Sequence, residues 1–324
     1  MQTTPTVPLI ACLFALCSGP VHALTADEVN QASVTERRPT SQPDPAVVKA
    51  QVLLSRRSIS PGEIDGVDGE NYRKAIAQFR RQENLGEGEK VDERTWRALG
   101  ADTASNITTE YILSERDVSS RFVRRIPRDY AKQAALKRLS YTGAPEMFAE
   151  RFHMSEALLR ALNPHADFRT AGERISVVSV NRQPFEAPVE RIEAVKKTGM
   201  LVVFGPGDAI LASYPATIGS GDTPSPEGEY RIERIVRNPT YHYDPEKNFQ
   251  QGSNKRKLTL PPGPNNPVGT VWIALSKPTF GIHGTPEPSQ VSKTTSHGCV
   301  RLTNWDAQEL AGMVKPGLAV RFVD

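Results

Sequence analysis

The sequence is short of cysteine, of tryptophan and of long apolar runs, and neither sign of charge is in large surplus. It holds three cysteines and three tryptophans in 324 residues, with 40 Lys and Arg against 37 Asp and Glu, a net charge of +3. So even a balance argues against nucleic acid as the main partner. One apolar run stands out, "VPLIACLFALCSG", and it is too short for a membrane-spanning helix of about 20 residues. No membrane span is therefore expected in the mature protein. Two of the three cysteines, Cys12 and Cys17, lie in that run. Val21-His22-Ala23 then offers small residues at the two positions a signal peptidase inspects, so residues 1–23 are expected as a signal peptide cleaved after Ala23, although no Lys or Arg precedes the run. Removing them leaves an exported chain with one cysteine, Cys299, and no intrachain disulfide. A lone thiol in an exported protein points to a reactive group or an intermolecular partner, while the blander reading is a buried, inert cysteine.

The length predicts two or three domains. Residues 24–43 are polar, carry Pro39 and Pro43, and read as a linker. Asp44 and Pro45 are a helix cap and first-turn residue. Tyr72, Ala75, Ile76 and Phe79 recur at the spacing of one helix face, and a short helix after Asp92 would bury Trp96 and Leu99. The acidic loop "DGVDGE" lacks the spacing of a helix–loop–helix calcium site and reads as a turn. Residues 101–138 form a connecting segment in which "TTEYILSERDV" suits a strand and "RDYAKQAALKRL" a helix. Residues 139–180 read strand, helix, helix, strand, with Ser155 capping the second helix and Asn163-Pro164 ending it. From residue 190 the pattern is β-rich, with "GMLVVF", "TVWIAL", "FGIHG" and "LAVRFV" as strands, a long polar loop near 238–267, and Thr303 capping a final helix.

The chemistry concentrates in "HG…SHGC", His283-Gly284 and Ser296-His297-Gly298-Cys299. A thiol attacks a carbonyl as thiolate, and a histidine within hydrogen-bond reach can take its proton. Glycines beside the pair permit a tight turn whose backbone N–H groups converge on one point, as an oxyanion requires. Zinc ligation by His283, His297 and Cys299 lacks a fourth ligand of convincing spacing, Asp306 being a stretch, so no metal is expected.

Three resemblances follow from these residues. "VVKAQVLL", "GEIDGVDGENYRKAIAQFRRQENL" and "VDERTWRAL" resemble a peptidoglycan-binding three-helix domain over 44–100. Residues 139–180 resemble a LysM glycan-binding module, with Gly143-Ala144-Pro145 where Gly-Asp-Thr is usual, which leaves glycan binding and a spacer role both open. "IGSGDTPSPEGEYRI" and "GIHGTPEPSQVSKTTSHGCVRLTNWDAQEL" resemble the YkuD-type L,D-transpeptidase family over 190–324. Together they imply a multidomain α+β fold: a small three-helix domain, a βααβ module and a mainly β catalytic domain.

The last resemblance implies Cys299 as nucleophile and His283 as general base, with His297 and Gly298 shaping an oxyanion turn and Ser296 orienting a histidine. Arg301, Gly284 and Tyr241 are the implied substrate contacts, with a structural salt bridge an equal alternative for Arg301. The implied partners are peptidoglycan stem peptides and glycan, a wall-anchored protein among the candidate acceptors, and carbapenem-type inhibitors. No cofactor is implied. The location would be the periplasm, associated with the cell wall. Release of D-alanine and transfer of the acyl group to an amine is the leading reaction. The alternatives are an L,D-carboxypeptidase or protein–peptidoglycan hydrolase on the same scaffold, and a non-catalytic wall-binding protein.

Overall fold

The computed structural model describes residues 24–34, 42–182, 187–219, 225–247, 249–296 and 298–324. The expected signal peptide, with Cys12 and Cys17, and the candidate site residue His297 lie outside the described residues.

The first surprise falls in the expected linker. Helix α1, Ala26–Gln31, starts at Thr25, whose hydroxyl accepts from the Glu28 N–H while the Glu28 carboxylate accepts from the Thr25 N–H. This reciprocal cap nucleates a helix in a polar segment. Leu24 and Val29 are buried, and Lys49 donates its ammonium to the carbonyls of Asn30 and Ala32. Three helices follow: α2, Pro45–Arg56, α3, Glu70–Gln82, and α4, Glu93–Ala98. Their caps are as the sequence suggested, with Asp44 accepting from Ala46 and Val47 and Asp92 from Thr95. Tyr72, Ala75, Ile76 and Phe79 form the buried face of α3.

Next come β1, Thr108–Ile112, α5, Glu115–Val118, α6, Tyr130–Ala134, α7, Ala144–Arg151, α8, Glu156–Leu162, and β2, Arg174–Val178. The expected βααβ order is present, but its first strand is displaced. Residues 139–142 form no strand; β1 pairs antiparallel with β2 instead, Thr108 opposite Val178. Residues 113–143 are therefore an insertion between the first strand and the first helix of this unit. Nor are the helical domain and the βααβ unit separate bodies. Residues from Leu24 to Val180, including Val48, Phe79, Leu113, Phe148 and Val177, make one continuous apolar core. Neither part is large enough to bury its own apolar surface fully, and sharing a core solves that for both.

The C-terminal part is a nine-stranded sheet. Its strands are β3, Arg191–Val195, β4, Met200–Phe204, β5, Ile210–Pro215, β6, Thr217–Ile218, β7, Gly228–Arg237, β10, Val271–Leu275, β11, Gly281–His283, β12, Val300–Arg301, and β13, Ala319–Val323. Between β7 and β10 lies a hairpin of β8, Tyr241–Tyr243, and β9, Leu258–Leu260, where the sequence suggested only a loop. The order across the sheet is β5-β4-β3-β13-β7-β10-β11-β12-β6. Two pairs are parallel, β13 with β3 and β11 with β12. Helix α9, Asn304–Met313, capped by Thr303, packs on β10 and β11 and buries Ala307 and Leu310 against Ile273, Ile282 and Val300. Among the described residues no helix is long and apolar enough to cross a membrane.

The two halves meet through buried polar contacts. Ser60 donates its hydroxyl to Asp306 at 2.8 Å, and the Ser60 and Ser213 N–H groups bond to the Ser213 and Ser58 carbonyls. Asn304 donates to Glu150 at 2.8 Å, Arg182 pairs with Glu309, and the His153 ring stacks on Trp305 at 5.3 Å. That burial holds the His153 imidazole down at about 3, so it packs as a neutral ring.

Candidate active site

Strand pairing decides which side chains meet. In the parallel pair β11–β12, Ile282 lies opposite Val300 and His283 opposite Arg301. Side chains alternate along a strand. Ile282 and Val300 are fully buried in the sheet core. His283, Arg301 and Cys299, which directly precedes β12, line the other face. The antiparallel neighbour β10 adds Trp272, opposite His283, and the two rings stack at 5.4 Å and 21°. Sequence reading missed Trp272, whose only signal was its place in a strand of unknown register.

His283 is buried, and its Nδ1 lies 2.7 Å from the Gly284 carbonyl oxygen. A carbonyl can only accept, so Nδ1 carries the proton and Nε2 is the basic nitrogen. Gly284, expected as a substrate contact, thus also holds the imidazole through its carbonyl. A side chain there would come within 2.2 Å of Asn304 Oδ1. Ser296 is buried; its hydroxyl donates to the Cys299 carbonyl at 2.6 Å and accepts from the Gly219 N–H at 2.8 Å. The contact it makes here is with the cysteine's own carbonyl, so it pins the turn to the end of β6. Gly298, buried with φ of 98°, occupies the left-handed region where a side chain would be strained.

The half-buried Cys299 sulfur lies 3.7 Å from the Thr279 carbonyl oxygen, and among the described residues no hydrogen bond joins it to His283. The two residues share a face, diagonal across the β11–β12 pair, and catalytic contacts often tighten only when a substrate binds.

Burial pushes the Cys299 thiol up from its ordinary value, opposed by the Gly281 backbone N–H and the Arg301 cation. Burial holds His283 down to about 4; its bond to Gly284 opposes this, and Arg301 adds to it. Both effects disfavour a thiolate–imidazolium pair, so the resting site holds a neutral thiol and a neutral imidazole. A base must be unprotonated, and this one protonates only as pH falls through about 4. Any rate that needs His283 as a base should hold from neutrality to about pH 5 and be halved near pH 4, which a pH–rate profile would read directly. A half-point near 6.5 would show an exposed, ordinary histidine.

Tyr241 sits on β8, and its phenol is pushed up by burial, then by Tyr130, with the Cys299 charge also felt. Tyr130, from the insertion, meets Tyr241 edge-on at 6.0 Å, Tyr243 at 5.3 Å and Phe249 at 6.1 Å. Arg301 is half-buried, and among the described residues no carboxylate pairs with it. No cluster of His, Cys, Asp and Glu among the described residues could hold a metal ion.

Comparison with known proteins places this face in a family. Residues 190–321 match the model of the L,D-transpeptidase catalytic domain, YkuD, and residues 43–99 that of a peptidoglycan binding domain. The YkuD protein of Bacillus licheniformis is 30% identical over 177 residues, 54% of this chain and 90% of its own length. That of Bacillus subtilis is 30% identical over 173 residues, 53% and 88%. Each of these matches is longer than residues 190–324, so the likeness reaches upstream of the catalytic domain. An L,D-transpeptidase structure from Xylanimonas cellulosilytica aligns with 90% of this chain and all of its own at 13% identity and a TM-score of 0.40.

Proposed function

The chain belongs to the L,D-transpeptidase family that carries the YkuD catalytic domain, and from that premise we propose that Cys299 is its nucleophile, His283 its general base and a peptidoglycan tetrapeptide stem its acyl donor. It is a cell-wall enzyme, an L,D-transpeptidase with an added peptidoglycan binding domain. In the first half-reaction the Cys299 thiol attacks the carbonyl of the third stem residue. The C–S bond forms, the thiol proton passes to His283 Nε2, and the developing oxyanion is met by backbone N–H groups of the turn that Gly298 shapes. The C–N bond to the terminal D-alanine then breaks as His283 returns the proton to the leaving amine. In the second half-reaction an amine attacks the thioester, His283 takes its proton, and the thiolate leaves and is reprotonated.

The observation that carries this reading is the shared face of Cys299, His283 and Arg301, with the imidazole tautomer fixed by Gly284 so that Nε2 is its basic nitrogen. A neutral pair suits the two steps: the base is needed in the transition state, when the thiol loses its proton, and not at rest. The acceptor would be a second stem or a protein lysine. Carbapenem-type inhibitors would acylate the same thiol, and export to the periplasm would bring the enzyme to its substrate.

The test is mass spectrometry of the full chain with a tetrapeptide stem. One acyl-tripeptide on Cys299 and one equivalent of D-alanine are expected, and an added amine should yield the amide product. Free tripeptide as the sole product would make the enzyme a carboxypeptidase. Neither adduct nor D-alanine would sink the assignment of the nucleophile.

A further inference from the structure

The Gly284 carbonyl that fixes the His283 tautomer is itself held by its neighbours. The Gly284 N–H bonds to the Val271 carbonyl, and the His283 carbonyl accepts from the Leu302 N–H. Asn304 closes on the same point. Its amide oxygen sits so near Gly284 and Gly269 that a side chain at either glycine would collide with it. Gly269, in the left-handed region with φ of 62°, lies in turn against Gly284. The three residues thus pack without spare room just beyond the end of β11.

Asn304 is fully buried, and its amide is fully committed. Oδ1 accepts from the Thr270 N–H at 3.0 Å, while Nδ2 donates to the Pro264 carbonyl at 3.1 Å and to the Glu150 carboxylate at 2.8 Å. The amide therefore has one workable orientation. Turned over, its NH2 would face the Thr270 N–H and its oxygen would face two acceptors. Thr270 and Pro264 belong to the catalytic domain itself. Glu150 does not: it stands on α7 of the upstream half, outside both family matches and 154 residues from Asn304. Its other oxygen accepts from the Tyr141 hydroxyl at 2.8 Å. Without Glu150, one buried amide hydrogen has no acceptor, a costly state that favours movement toward water or another partner. That movement takes the Asn304 oxygen out of its place between the two glycines, and Gly284 can then turn its carbonyl away from Nδ1.

We propose that Glu150 is a positioning residue for the base: acting through Asn304 and Gly284, the upstream half fixes the tautomer and the aim of the His283 imidazole. That His283 is the base rests on the proposed function; the chain of contacts from Glu150 to its Nδ1 does not.

Three variants of the full chain test this. Glu150→Leu keeps bulk on α7 but offers no acceptor. Glu150→Gln keeps an acceptor for Asn304, and the Tyr141 hydroxyl can reverse to accept from the new amide. Ser60→Ala breaks a different contact between the halves, the one to Asp306. The measurements belong at pH 8, above the value of about 7 to which burial pushes the Glu150 carboxyl against its bonds from Asn304 and Tyr141. With the stem peptide, Glu150→Leu should lower kcat about 10- to 100-fold, the scale of a misplaced catalytic group, and change KM less than about threefold. Glu150→Gln should recover most of the loss, and Ser60→Ala should melt lower yet turn over at the wild-type rate. Nitrogen NMR of the imidazoles needs no turnover, with the His283 signals identified by their absence in His283→Ala. It should show Nδ1–H alone in wild type, Glu150→Gln and Ser60→Ala, and a mixture with Nε2–H in Glu150→Leu.

A Glu150→Leu protein with the wild-type tautomer would overturn the proposal, whatever its kcat. So would equal losses of kcat in Ser60→Ala and Glu150→Leu, which would make Glu150 one fastening among several between the halves. A tautomer that shifts in Glu150→Leu, in a protein that never acylates on stem peptide, would support Glu150 as the prop of the imidazole and reject His283 as the base instead.

Discussion

Cys299→Ser should abolish turnover, with a loss of more than about 10³-fold in kcat, while melting at nearly the wild-type temperature. Loss of a nucleophile that acts as a unit with its base is of this size or larger in enzymes of comparable chemistry. Oxygen fits where sulfur was, so packing beside Thr279 and Gly281 is little disturbed. The chemistry differs sharply. Burial holds His283 at about 4, which makes its imidazole a weak base. It can assist a thiol, whose proton is comparatively acidic, far better than an alcohol. His283→Ala is the companion. It should lower turnover about 10²–10⁴-fold, the usual worth of a general base. The thiol's own titration, followed by alkylation rate against pH, should scarcely move in that variant. The forces on Cys299 are burial, the Gly281 N–H and Arg301, and a neutral ring adds no charge to them. If His283→Ala instead raised the thiol's apparent pKa strongly, the resting enzyme would hold an ion pair and the neutral-pair account would fall. For the same reason, quiet labelling of the wild-type thiol near neutral pH does not mark an inactive relic.

What the sequence made legible was local. The face of α3 repeats within a few residues, and the caps Asp44, Ser155 and Thr303 each satisfy an N–H two or three residues away. Cys299 and His283 stood out because a lone thiol, a histidine and adjoining glycines lie within one short stretch. The parts that escaped depend on distant pairing. Nothing near Thr108 announces that it will pair with Val178, so the insertion passed for a connecting segment. The β8 and β9 strands have three residues each, too few for an alternating pattern to stand out in polar surroundings. Tyr130 meets Tyr241 only because the insertion is bonded to Gln251, Asn254 and Pro262. The protonation states escaped as well, since residue types set the ordinary values and burial, which only the fold provides, moves them.

The same long-range contacts bear on how far the catalytic domain can stand alone. With every proposed catalytic residue after residue 240, deletion of residues 44–180 would be expected to spare thiol chemistry on soluble stems. The structure leads to the opposite expectation: residues 190–324 alone should melt at least about 10–20 °C below the full chain and acylate poorly. Trp305 is 5% exposed and Asp306 fully buried, and both are covered from upstream, by His153 and by Ser60. Removing the cover exposes an indole worth about 2–3 kcal/mol of burial. It also strips partners from Asp306, Asn304 and the Ser213 backbone, at about 1 kcal/mol or more each. A loss of about 5 kcal/mol corresponds to that melting shift in a domain of this size. Acylation should suffer separately, because the hairpin bearing Tyr241 loses Tyr130 and Leu139 from its apolar cluster. Calorimetry of the two chains and the stem-acylation assay check both halves. A truncated domain that melts within a few degrees of the full chain and acylates at its rate would show that the upstream half is attached to the catalytic domain without helping to build it.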